Sequence, residues 1–197
     1  MLLFRLLIAG LALVPLGLLV RGVLQGALGP DPGEVVTESL GLAAFQLLLA
    51  TLAMTPLRRI TGWPGWLRVR RQLGLFCFFY ASLHLLAFLQ FVVGWQDLTA
   101  SFTKRPYILA GLVAFIILLP LALTSTRGMM RRLGKRWKRL HSGVYLAAVA
   151  AWVHFLWQAR GDIGEMLAYG VILAVLLGLR LWWSAAVQKR LARPDRA

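Results

Sequence analysis

The sequence predicts an all-α integral membrane protein, a six-helix transmembrane bundle with both termini cytoplasmic, and three observations carry that expectation. Apolar residues make up 59% of the chain and mean hydropathy is +0.72, whereas soluble domains are roughly 45–50% apolar. Six apolar segments of helix length are spread along the whole of the 197-residue chain. Positive charge is concentrated in alternate connections, as the positive-inside rule requires of cytoplasmic loops.

The spans are expected at about residues 2–20, 39–55, 73–93, 107–123, 141–157 and 166–183. They form a single domain, residues 1–197, because no stretch is long and polar enough to fold separately. Leu2 to Val20 is interrupted only by Arg5 and Pro15, and a run of about 20 residues crosses a bilayer. Its apolar core is longer than that of a signal peptide and no A-x-A site follows, so it reads as an uncleaved span. The connection Arg21 to Glu38 contains GPDPGE, and the second span ends near Met54 to Pro56, with Arg58 and Arg59 beyond, because proline disfavours helix continuation. In the loop ITGWPGWLRVRR, Trp63 and Trp66 sit at interfacial depth beside Arg68, Arg70 and Arg71.

The third span carries His84, and Pro120 is expected to kink or end the fourth. TSTRGMMRRLGKRWKRL follows, with seven basic residues and no acid. The fifth span carries His141 at its start and His154 thirteen residues later, and the sixth runs into a basic tail. No internal repeat at a fixed period is apparent. Trp95, Trp157, Trp182 and Trp183, near span ends, suit aromatic belts.

This topology puts 18 Lys or Arg and one acid, Asp195, on the cytoplasmic side, against four basic and six acidic residues opposite. The net charge of +15 and pI near 11.6 therefore reflect orientation and contact with lipid, and no nucleic acid is needed to explain them. In a bacterial cell the membrane would be the inner one. The single cysteine, Cys77, lies in an apolar segment and reads as a packing residue.

Every histidine lies in or at the edge of hydrocarbon, where an imidazole is costly unless something binds it. His84 falls thirteen residues after Arg71, and His154 thirteen after His141. At 1.5 Å per residue both lie roughly 20 Å from the cytoplasmic boundary, in the outer half of the bilayer. One such histidine would more often be a hydrogen-bonded packing residue. Two at matched depth on different helices suit the axial ligation of haem iron in an apolar slot. A straight helix turns His141 about 140° from His154, so those two cannot share an iron. His141 is left as a ligand of a second haem, a residue facing a flavin or quinone, or an interfacial structural residue. Gln46, Thr51, Tyr80, Ser82 and Gln90 could support a quinone or haem propionates, but they more often make interhelical hydrogen bonds.

There is no G-x-G-x-x-G, no G-x-x-x-x-G-K-[ST], and no region large enough for a nucleotide-binding domain. An electron carrier built this way needs quinol or other proteins as donor and acceptor. The alternatives are a stand-alone ferric or quinone reductase, which would pass electrons to iron chelates unaided, and a non-redox metal or proton transporter or assembly factor, which would show no Soret band.

ITGWPGWLRVRRQLGL, TSTRGMMRRLGKRWKRLHSGVYL and VHFLW, with the patterns R-R-x-L-G-L and W-x-x-L-H-x-x-x-Y, resemble the MsrQ (YedZ) family of haem-binding membrane subunits of bacterial MsrPQ systems. That family is related to the ferric reductase and NADPH oxidase transmembrane domain. The resemblance covers essentially the whole chain. It implies an electron-transfer subunit, not the catalytic one. Electrons would pass from the quinone pool, or from a cytoplasmic flavin reductase, through haem b to MsrP, a periplasmic molybdopterin subunit that reduces protein methionine sulfoxide. It further implies one haem b or two, ligated by His84 and His154 with His141 as a further or alternative ligand. The family is also associated with FMN, for which this chain shows no motif. A single histidine in the third span means that the two full histidine pairs of the oxidases cannot be reproduced.

Overall fold

The computed structural model describes residues 1–94, 106–158 and 163–191, and every regular element among them is helical. Trp95, Asp97, Lys104, Arg105, Arg160, Asp162 and the tail beyond Leu191 lie outside these residues. Helix α1 spans Leu2–Leu24, α2 Pro32–Thr61 and α3 Gly65–Ala87, which continues as a π-helical turn, Phe88–Val93. Then come α4 Pro106–Leu123, α5 Arg127–Leu133, α6 Lys135–His141, α7 Val144–Gln158 and α8 Ile163–Leu191. By length and composition five helical stretches among the described residues can cross a membrane, or six if α4 and α5, bent by 97° at their junction, count as one span. The protein is thus multi-pass.

The helices outrun the expected spans at several ends. The GPDPGE segment is half helix: Asp31 caps α2, its Oδ1 accepting the Glu34 N–H at 3.1 Å, and Pro32 opens the first turn, where its missing donor costs nothing. Pro56 does not stop α2, which continues a further turn to Thr61, because prolines are tolerated within membrane helices where neighbours enclose the backbone. What ends α2 is Gly62, left-handed at φ 70°, whose N–H bonds the Arg58 carbonyl. The expected loop after the second span shrinks to residues 62–64, so Arg68, Arg70 and Arg71 stand on the first turns of α3. Trp63 and Trp66 close this corner by packing edge-on against each other and against Phe4 of α1.

Helix α2 is the most enclosed span. Phe45, Leu48, Leu49 and Leu52 on its inner face meet Cys77 of α3, Leu118 and Leu121 of α4, Ala147 and Ala148 of α7 and Leu173 of α8. The most extensive helix pairs are α2 with α3 and α4 with α7. Small residues, Gly41 in the first pair and Gly111 in the second, lie where side chains of the partner helix come closest, as close packing in lipid demands.

Candidate functional site

His84 of α3 and His154 of α7 project into the space between the two helix pairs. Their ring centroids are 6.0 Å apart with planes at 77°. His84 Nδ1 lies 2.8 Å from the carbonyl oxygen of Thr37 on α2, and His154 Nδ1 lies 2.7 Å from that of Tyr107 on α4. A carbonyl only accepts, so each Nδ1 carries the proton and donates it. Each Nε2 is then a lone-pair donor, and neither has a hydrogen-bond partner among the described residues. Two half-buried imidazoles in the same tautomer lining one space are an arrangement suited to holding a metal.

Both rings line an apolar cleft of about 120 Å³, walled by Ala44, Phe45, Leu48, Cys77, Leu112, Phe115 and Leu118 among others. Phe45 stacks on Phe155 and Phe115 on Phe78, each pair at 5.5 Å, which ties the walls across the two helix pairs. Phe88 and Leu89 reach the cleft from the π-helical turn, a distortion that recurs at functional sites. The same two histidines line a second cavity of mixed polarity, which includes Glu34, Glu38, Ser39, Gln158 and Glu165. The apolar slot therefore opens at its histidine end toward the acid-bearing ends of α2 and α8.

Contrary to the sequence reading, the two helix pairs are a repeat. Thr37, Gly41 and His84 recur as Tyr107, Gly111 and His154 at a constant offset of 70 residues (37 to 107, 41 to 111, 84 to 154). The signal was present in the sequence as GLAAF at 41–45 and GLVAF at 111–115, followed in both copies by a Leu-Leu pair, at 48–49 and 118–119. Four residues that sequence reasoning missed belong to the site through this repeat. Thr37 and Tyr107 supply carbonyls, and Gly41 and Gly111 supply space.

His141 stands apart, at the arginine-rich end, and does not line the cleft. It stacks on Trp137 at 3.9 Å. Its Nε2 lies 3.0 Å from the Thr124 hydroxyl, which spends its own proton on the Pro120 carbonyl at 2.6 Å. Nε2–H is therefore the donor to Thr124. Trp137 Nε1 closes the network on the Thr124 carbonyl. The 70-residue offset carries His141 onto Arg71, so only one half of the molecule has a histidine at that end.

Of the polar residues weighed between a cofactor-facing role and interhelical hydrogen bonding, Tyr80 does the second. Its hydroxyl, fully buried, donates to Ala12 O at 2.8 Å and accepts from Leu16 N–H at 3.1 Å on α1. Thr51 and Ser82 bond their own helix, and Gln46 bonds the Tyr169 hydroxyl of α8.

The histidine pair fits a six-coordinate haem. Two metal–nitrogen bonds of about 2 Å put opposed imidazole centres about 6 Å apart, and the slot beside them is apolar and bounded by flat rings. Residues 40–152 match the family described as "Ferric reductase like transmembrane component". Over 169 residues, 85% of this chain and 78% of the relative, the sequence is 46% identical to the "Protein-methionine-sulfoxide reductase heme-binding subunit MsrQ" of Xanthomonas euvesicatoria pv. vesicatoria (strain 85-10). With the family match and the similarity over most of the chain in agreement, the chain belongs to the MsrQ heme-binding subunits, within the ferric reductase-like transmembrane proteins.

Proposed function

We propose that this protein is the membrane electron-transfer subunit of a protein-methionine-sulfoxide reductase, holding haem b between His84 and His154. The single observation that supports the reading is the pair of opposed imidazoles, each with Nδ1–H committed to a carbonyl and Nε2 left free. Haem bound there supplies a one-electron couple whose potential depends on its axial ligands and on the dielectric around it. The chain's own residues do the rest. The carbonyls of Thr37 and Tyr107 hold the ligand nitrogens in the basic tautomer, and the Phe45 and Phe115 stacks keep water from the slot.

On this reading the arginine-rich end is cytoplasmic, with both termini, and the histidine end lies near the periplasm. Electrons enter from the quinone pool or a cytoplasmic flavin reductase. They leave through the second cavity toward a periplasmic molybdopterin subunit of the MsrP type, where methionine sulfoxide is reduced. No substrate bond is broken in this chain. The test is the absorption spectrum of purified protein: wild type shows a reducible b-type haem, and His84→Ala and His154→Ala each abolish it. Full haem retention by both variants sinks the assignment.

A further inference from the structure

Each imidazole lies flat against the helix that carries its carbonyl, over a glycine one turn further on. A Cβ built at Gly41 falls 2.8 Å from His84 Nδ1 and 3.0 Å from Cε1; one at Gly111 falls 2.9 and 3.0 Å from the same atoms of His154. Non-bonded atoms do not approach this closely, so any side chain at either position displaces the ring from its carbonyl. Gly10, Gly17 and Gly178 have nothing within 4 Å of such a Cβ, whereas Gly170 of α8 is covered in the same way by the Trp152 indole, whose Nε1 donates to the Met166 carbonyl one turn earlier. A glycine that lets a ring seat on the helix is thus a recurring device of this bundle, and what sets positions 41 and 111 apart is that the seated ring is a histidine lining the cleft. In both halves the atom nearest the glycine is the nitrogen that carries the ligand's hydrogen bond.

We infer that Gly41 and Gly111 are positioning residues for the two haem ligands, each forming with the carbonyl four residues earlier a clamp that sets its imidazole's plane and basicity. The inference rests on the haem reading above and adds what determines ligand geometry. A hydrogen bond from Nδ1 makes the imidazole a stronger donor, and loss of such outer-shell partners lowers metal affinity about 10- to 100-fold. A stronger donor favours ferric iron, so breaking a clamp moves the midpoint potential in the positive direction. The clamps also fix the 77° between the ring planes, and near-perpendicular axial imidazoles give ferric haem a single-feature low-spin resonance in place of a rhombic spectrum.

The experiment uses the full chain, purified with haem, as Gly41→Ala, Gly111→Ala and the control Gly178→Ala. The alanine variants at 41 and 111 are expected to keep six-coordinate haem while binding it about 10- to 100-fold more weakly. Each should show a positive midpoint shift and an altered ferric resonance, and Gly178→Ala should match wild type in all three measurements. Wild-type potential and resonance in both clamp variants overturn the inference, and so does an equal shift in the control. Should a clamp variant fail to fold, ¹⁵N-histidine spectra of the reduced, diamagnetic wild type decide. Two Nδ1–H protons that exchange slowly with solvent support the clamps, and rapid exchange at either histidine refutes them. Failure of the haem reading itself shows elsewhere, as haem retained by the histidine-to-alanine variants.

Discussion

Tyr80 shows how little a residue's type says about its role in a membrane. It lies one helical turn before His84, so the sequence left open a place beside a cofactor. In the fold its hydroxyl sits between Leu16 N–H and Ala12 C=O, the two groups an unbroken α-helix would join directly. Pro15 already interrupts α1 at this level, and a side chain inserted into the ladder is a recognised cause of helix bending. Tyr80 therefore fastens the otherwise lipid-facing α1 to the bundle. Tyr80→Phe is expected to destabilise the protein by about 1–2 kcal/mol, lowering its thermal midpoint in detergent with the haem spectrum unchanged. A spectral change without loss of stability would contradict this role. The meeting of His84 and His154 in the fold was legible from their matched depth. Thr37 and Tyr107 were not, because they act through carbonyls that every residue has, and only the fold decides which carbonyl meets a histidine.

The elements were legible in type, less so in number, since the expected six spans are five unless the bent α4–α5 pair counts as one, and less again at their ends. Hydropathy marks where a helix lies in hydrocarbon, but a helix continues beyond it as long as its backbone bonds are made. This is why α2 runs from Pro32 to Thr61 when the apolar core suggested 39–55. Its two prolines behave oppositely to the simple rule: Pro32 begins the helix and Pro56 lies within it. The stop depends on a backbone angle. Gly62 has φ 70°, a region that costs an L-residue about 1–2 kcal/mol. Gly62→Ala should lose about that much in a denaturation experiment, with the α2–α3 corner frayed toward protease. An unchanged midpoint would show that the corner tolerates a right-handed conformation.

At the scale of the whole molecule, the membrane class followed from composition, but the internal repeat did not emerge until the helices were seen in place. The matching residues are few, and they are separated by lipid-facing positions free to be almost any apolar type. The unequal connections hide it further: three residues join α2 to α3, whereas α5 and α6 intervene between α4 and α7. Both halves nonetheless place each histidine 47 residues after its carbonyl partner. Because each half carries its own ligand and its own clamp, the halves should assemble from separate chains. Co-expression of two fragments divided between Gly94 and Pro106 is expected to give a membrane complex with the wild-type haem spectrum, and either fragment alone should give none. Haem bound by one fragment alone would show that the site is not shared.

The repeat also bears on descent. A single copy, with one histidine, offers one face of an iron only, so a free-standing ancestor of that kind would have gained a complete site by pairing with itself across a two-fold axis. Fusion of two copies would have released each from identity with the other. Arg71 opposite His141 is where this chain has used that freedom.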